Sequence, residues 1–573
     1  MKVNKLANLL LASGISALFV TSCANVRQPA GGPRDTIPPT LVNSVPQVGS
    51  VNYRGKKFVL TFDEYTQAKN LKTKLLITPQ TDVRYQFRTK KKSLIIEFEE
   101  PLKENTTYTF NFQDAIQDIN ENNPWKNAVF AFSTGDYIDS LKINGTVRDV
   151  LTGAPVKEAT VALFDIKDTL DIYTGKPEYF AKTDEEGHYN LSHIRHGKFK
   201  AYAYLDENNN LINEPKSEPA GLYPDTLSLD TDRDSLHFNL ILADAQPFKM
   251  NSAKENGKYF DVLFNKYVKS YQLSFKNDDQ LMLSTFSPEH NGVRFFNATQ
   301  IPENDSIPTQ IIATDTVGNK VVENFHVKFA DGTKRKYAVL EQEVQKYAND
   351  NPIQDTLIEK IQFSKPIRVV HPDSMMVIYD SLNFIRLDID KDLSWNKRFD
   401  EVTIKKAIKL DSIFLPPADT LFLDSLKADS IYIQQPEART FTDMKLHIPH
   451  GAFISIESDT AQAIDEKFTL ANKENLGSIE GTITTDYKNY QIQLVTADFK
   501  VVKTTTADKN GHYSFYNLKP ATYKIRVLID ENGNGQWDIG NILKNEAPEP
   551  VFFFQDEVAI RANWELTNID FKM

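Results

Sequence analysis

Residues 183–210, TDEEGHYNLSHIRHGKFKAYAYLDENNN, align without a gap to residues 507–534, ADKNGHYSFYNLKPATYKIRVLIDENGN. Asp184/Asp508, Gly187/Gly511, His188/His512, Tyr189/Tyr513, Lys200/Lys524, Asp206/Asp530, Glu207/Glu531, Asn208/Asn532 and Asn210/Asn534 are identical. Upstream, INGTVRD (143–149) matches IEGTITT (479–485). A repeat of this length means one supersecondary unit built twice, and the residues between must fold as something else. Inside the unit, Asp-x-x-Gly specifies a tight hairpin turn with glycine at the positive-φ position, and the next aromatic starts an inward strand.

The intervening chain has its own repeat. TFDEYT (61–66), LFNKYV (263–268) and QFSKPI (362–367) each end an alternating strand on a phenylalanine and continue through polar residues to Tyr or Pro. A strand and polar turn follow each: AIQDINENN, ATDTVGNK and GAFISIESD. Shared topology explains this, with Phe62, Phe264 and Phe363 at equivalent core positions. Short alternating runs such as KKFVLTF, SLIIEF and TYTFNF dominate, and aromatics reach 11%. Helical periodicity is scarce, and one stretch, AVLEQEVQKYAND (338–350), predicts a short connecting helix. The fold class is therefore all-β, a tandem of β-sandwiches.

Two resemblances sharpen the organisation. IPPTLVNSVPQVGS, EEPLKENTTYTFNF and FAFSTGD, in order, resemble the SbsA-type bacterial Ig-like domain over residues 38–136. The TDEEGHY and LKPATY stretches resemble the prealbumin-like, carboxypeptidase regulatory-type sandwich, although Ala521 replaces that family's glycine and the first copy lacks its proline. The second resemblance implies a prealbumin-like domain at 140–243 and another at 476–573, while the alternation and the shared phenylalanine turn read residues 247–336 and 352–473 as Ig-like domains.

The N-terminus reads as an export address. Lys2 and Lys5 precede LANLLLASGISALFV, too short and too polar-broken for a comfortable span, and the run ends in VTSC. This resembles a bacterial lipobox: residues 1–22 would be the signal peptide, and Cys23, the chain's one cysteine, would be lipidated. Residues 23–37 are rich in Pro, Gly and small residues and read as a flexible tether. The resemblance to Bacteroidota lipoproteins implies an outer-membrane protein anchored through its N-terminal lipid, on either the periplasmic face or the cell surface.

Chemistry is sparse. Apart from Cys23 no thiol nucleophile exists, and no G-x-S-x-G, H-E-x-x-H or phosphate-binding loop occurs. His188, His193 and His196 alternate along a strand, without an acid at zinc spacing. Asp63 and Glu64 could act as an acid–base pair, but Asn265 and Lys266 hold the same places in the second copy. A net charge of −11 without a basic block argues against nucleic acid.

The Asn-rich loops are the one metal candidate. Counted from Asp530, Asn532, Asn534 and Asp538 fall at calcium-loop positions 3, 5 and 9, with Gly535 at 6. Asn541 replaces the closing glutamate at 12, and a strand precedes the loop, so it is not an EF-hand. In the first copy Asp206, Asn208, Asn210 and Glu214 align, with Leu211 for the glycine. Each loop could hold calcium, or be a turn whose Asx side chains bond their own backbone.

The expected function is a non-enzymatic, lipid-anchored scaffold for envelope interaction or adhesion, with an envelope protein or glycan as partner. Two alternatives stand beside it. One is a glycan-binding accessory lipoprotein of an outer-membrane uptake system, with Trp537 as the aromatic best placed for exposure. The other is a hydrolase in residues 350–470.

Overall fold

The computed structural model describes residues 35–126, 128–275, 283–297, 305–329, 339–345, 353, 356–379, 384–408, 444–469 and 473–573. Cys23 and the expected signal peptide over residues 1–22 lie outside the described residues. They fall into two compact units: residues up to Leu141 with Ser192–Arg195, and Lys142–Leu191 with His196 onward. The architecture is all-β, a tandem of β-sandwiches, as the alternation predicts.

In the first unit, strands Leu41–Val45, Lys57–Phe62, Ser93–Phe98 and Tyr85–Lys90 form one antiparallel sheet in that order. Leu76–Thr78, Thr107–Asn111 and Val129–Ser133 form the facing sheet. Period-two alternation turns Phe58, Phe62, Phe98, Phe110 and Phe132 inward, where Phe58 meets Phe98, Phe110 and Phe132 edge-on or tilted and Phe62 meets Trp125 edge-on. Each such ring contributes about 1.5–3 kcal/mol of burial.

Two further sandwiches repeat this strand order. One sheet of the next is Met250–Asn256, Tyr259–Phe264, Gly292–Phe296, Leu283–Phe286, and the other Ser270–Phe275, Ile307–Thr314, Lys320–Val327. The following one orders Gln342–Gln345, Thr356–Phe363, Glu401–Ala407 and Leu393–Trp395, against Met376–Ile378, Lys445–Ile448 and Ile464–Lys467, with Phe384–Arg386 added at the outer edge of Met376–Ile378. Phe62, Phe264 and Phe363 each end the second strand and are buried to 1–2% exposure. Of the expected helix over 338–350, residues 338 and 346–350 lie outside the described residues, and Gln342–Gln345 is a strand. Its residues pair with Lys360–Phe363, and a sheet edge to be covered outweighs their helix propensity.

The two copies of the long repeat, for which a prealbumin-like sandwich is the expectation, also share one topology. His188–Ile194, Leu141–Asp149 and Phe238–Leu240 form one sheet; His512–Leu518, Gly477–Thr484 and the short Glu565–Leu566 and Phe571–Lys572 form its counterpart. In both, the closing strand runs parallel to the first. Opposite lies a sheet centred on Gly197–Leu205 or Ala521–Ile529.

The repeated residues hold this topology. Tyr189 donates its hydroxyl to Leu236 O (2.9 Å), and Tyr513 donates to Ile569 O (2.6 Å). Both carbonyls pass over a glycine: a Cβ on Gly145 would stand 1.7 Å from Leu236 O, and one on Gly481 1.9 Å from Ile569 O. Asp184 and Asp508 accept the amides of His188 (2.7 Å) and His512 (2.9 Å), closing turns in which Gly187 and Gly511 have φ of 76° and 79°. Gly481→Ala should therefore cost about 1–3 kcal/mol through overpacking. Chemical denaturation should show it, with faster hydrogen exchange in Glu565–Lys572. An unchanged midpoint would mean that the closing strand does not need the bare glycine.

Candidate functional site

Each Asn-rich loop leaves the long central strand of its sheet at the repeated aspartate. Asp530 accepts backbone amides from Gly533 (2.8 Å), Asn534 (3.1 Å) and Gly535 (2.8 Å). Asp206 accepts those of Asn210 and Leu211 (3.1 Å each). Asn532 and Asn208 accept from the residue two places on, Asn534 and Asn210 (3.0 and 2.9 Å). Asn534 and Asn210 accept in turn from Gln536 and Ile212 (2.8 and 2.6 Å). The amide nitrogens of Asn532 and Asn534 both donate to Asp538 Oδ2 (2.6 Å each), and that of Asn210 to Glu214 Oε1 (2.9 Å). The four predicted residues of each loop are thus brought together, with the side-chain oxygens of their asparagines turned onto the loop's own backbone. Gly535 has φ of 87°, and Leu211 adopts 65° at the same place, a conformation disfavoured for a branched side chain.

A second carboxylate locks each loop, and the spacing search missed it. Glu549 accepts from the amides of Glu531 (2.9 Å), Asn532 (3.2 Å) and Asp538 (2.8 Å). Glu218 accepts from Glu207 (3.0 Å) and Glu214 (2.8 Å) in the same way. Both open a Glu-Pro pair before the next strand, which is the signal that could have found them. They escape a gap-free comparison because Glu218 follows Asp206 by twelve residues and Glu549 follows Asp530 by nineteen. Burial raises the Glu218 carboxyl, and the adjoining Glu214 pushes the same way while backbone donors oppose. Burial also lowers the Lys182 ammonium, against the pull of Asp206 at 3.8 Å. Trp537 is half-buried, with its indole N–H on Glu549 O (2.9 Å). Trp564 is the more exposed, at 43%.

The other candidates resolve into turns and strand exits. Asp184, Glu186 and His188 each bring a ligand atom within 4.8 Å of the others, on an exposed turn where Asp184 already accepts two amides. Asp63 accepts the amide (2.8 Å) and hydroxyl (2.6 Å) of Thr40, bonds that hold its carboxyl below the usual range. Asn265 and Ser364 receive the amides of Lys249 and Glu341 (2.9 Å each) in the equivalent places.

One residue further on, the copies part. Lys266 meets Asp315 (2.6 Å), and Lys365 meets Glu457 (2.8 Å) and Asp459 (2.6 Å), all with little exposure at the lysine. The first sandwich has Glu64 there. Partial burial, then the charges of Asp118, Asp63, Asp35 and Glu121, raise its carboxyl above the ordinary value of 4.5. A group raised in the folded state stabilises when protonated, so this contribution is present below pH 4.5 and lost as pH rises through the folded value. Glu64→Gln should slow hydrogen exchange of Lys57–Phe62 at pH 7 and leave it unchanged at pH 4; equal effects at both would remove the electrostatic cause.

With this geometry in place, residues 35–134 match the family described as bacterial Ig-like domain. No curated protein matches the chain in sequence. Among solved structures, the chain is similar to BcpA, the major pilin subunit of Bacillus cereus, at 10% identity over 76% of this chain and 99% of that one, with a TM-score of 0.13. It is similar to the surface layer protein SbsC, domains 1–6, at 10% identity over 85% and 64%, with a TM-score of 0.14. A Bacteroides ovatus glucan-utilisation protein, SGBP-B, in complex with a mixed-linkage heptasaccharide, shows 11% identity over 70% and 88%, with a TM-score of 0.15. Scores this low bear on neither domain arrangement nor function. Among the described residues no helix is long and apolar enough to cross a membrane.

Removing the lock should separate it from the loop it closes. Glu549→Ala leaves three backbone amides unanswered and should destabilise the last sandwich by about 1–3 kcal/mol. Asn532→Ala, on the exposed side, should cost less than 1 kcal/mol. Equal losses in thermal unfolding would deny Glu549 its distinct role.

Proposed function

We propose that this chain is a non-enzymatic scaffold of the bacterial envelope, anchored in the outer membrane by lipid on Cys23, whose sandwiches present an interaction surface to an envelope protein or glycan. The observation that carries the reading is where the polar groups go. The acids and amides that sequence patterns single out close turns, strand exits and loops, and the described parts of 350–470 form a sandwich with the strand order of the first. The test is fractionation of cells labelled with a fatty acid. Wild-type chain should carry label and sediment with outer membranes, and Cys23→Ser should lose both. Membrane retention of the variant would sink the anchor.

A glycan partner is favoured by one groove. Tyr516 and Trp564, 51% and 43% exposed, line a cleft of about 730 Å³ on the last sandwich together with Lys503, Asn517, Asn563 and Glu565. Exposed rings beside amides and charges suit the mixed apolar and hydroxylated faces of sugars. Retardation in polysaccharide affinity gels, lost in Trp564→Ala, is the expected result; no retardation on any gel removes this partner.

Calcium belongs to the same reading as a stiffening clip on Asp530, Asn532, Asn534 and Asp538, and more weakly on Asp206, Asn208, Asn210 and Glu214. Extracellular modules bind it at roughly 0.1–1 mM. A millimolar addition should raise the unfolding temperature of wild type but not of Asp530→Asn. No rise in wild type returns the loop to a plain turn.

A further inference from the structure

The two prealbumin-like copies differ by an insertion, and that insertion lies against the rest of the chain. Between loop and lock the C-terminal copy has seven residues more than the first. The added stretch folds compactly. Asn541 and Glu546 exchange backbone hydrogen bonds (2.7 and 3.0 Å), a single 3-10 turn spans Ile542–Lys544, and Gly540 is held at φ of 78°. The loop lock Glu549 follows at once, so the insertion is carried on a fixed base.

Its tip reaches two other sandwiches of the same unit. Asn541, 2% exposed, donates to Asn319 Oδ1 (3.0 Å) in the sandwich of 247–329. Asn319 is itself tied to Asp315 (3.1 Å), which pairs with the buried Lys266. Ile542 packs on the apolar cluster of Phe164, Ile172, Tyr202, Tyr204 and Leu222 in the first prealbumin-like copy. A second contact joins the copies away from the tip. Arg526, 7% exposed, donates to Leu151 O (2.6 Å) and to Gln493 in its own sheet (2.8 Å). Beside it, the Phe553 ring lies against Gly153, where a Cβ would stand 3.1 Å from it.

We infer that the insertion at 540–548 is an intramolecular clasp, by which the last sandwich docks back on the second and third and holds the three together. The occupant of the surface around Asn319 and Tyr202 is therefore this chain's own C-terminal module. In the docked state the Arg526 guanidinium is buried with its hydrogen bonds met by Leu151 O and Gln493, and Ile542 is partly buried on an apolar cluster. The first copy lacks the insertion and can only receive the clasp, which gives the duplicated modules different parts.

Engineered cysteines can test this cleanly, since Cys23 is the chain's sole native thiol. In the full chain with Cys23→Ser, Asn319→Cys and Asn541→Cys, a short bis-maleimide should cross-link most molecules internally at micromolar dilution, seen as a faster-migrating monomer. Adding Ile542→Asp and Arg526→Ala should lower that yield at least fivefold and raise the radius of gyration in X-ray scattering. Circular dichroism would confirm that the sandwiches stay folded. No internal cross-link, a product made only between two chains, or an unchanged yield after opening substitutions would each overturn the clasp.

Discussion

In both duplicated sandwiches the closing segment is tied by the same contact, a buried tyrosine hydroxyl meeting a backbone carbonyl above a bare glycine. The contact solves a specific difficulty. The closing strand runs parallel to its neighbour and is only two or three residues long, so its own ladder is weak. A side-chain donor from the strand on the far side of the first reaches across it to add a bond, and the missing Cβ on the intervening glycine leaves room for the hydroxyl and the carbonyl to meet. With the strand in place the sheet closes over its core. The opposite sheet carries, at the end of its long central strand, a nine-residue polar loop in each copy. The loop, its lock and the clasp all stand on that base.

The Ig-like sandwiches show how one strand exit can be filled by opposite charges. Lysine paired with one acid in the second copy and two in the third gives desolvated ion pairs with good geometry. Glutamate in the first copy, facing other acids, makes the same corner electrostatically unfavourable. Topology survives because the phenylalanine before the exit, and not the charge after it, is what the core requires.

Much of this was legible in the sequence, and the reasons are local. Period-two alternation and the Asp-x-x-Gly turn depend on residues a few places apart, so the all-β architecture and the equivalence of Phe62, Phe264 and Phe363 could be read directly. The four loop residues in each copy were legible for the same reason. The locks Glu218 and Glu549 were not, because a carboxylate reached across a variable length of chain leaves no fixed spacing. Nor was the clasp, since Asn541 looked only like a missing ligand at position 12. The residues around Gln342 were misread as helix because an edge strand is specified by its neighbour, Thr356–Phe363, rather than by its own composition.

The lock has a consequence for how such modules diversify. Because Glu549 accepts the loop's amides from beyond the insertion, the number of residues in between does not enter the geometry of the loop. Both copies reach the same closed shape with intervening stretches of different length. The position is therefore a natural graft point. New sequence placed between the ninth loop residue and the glutamate is displayed on a stiff pedestal without disturbing the sheet beneath it. A lineage carrying two such modules can hold one as scaffold while it tries new surfaces on the other.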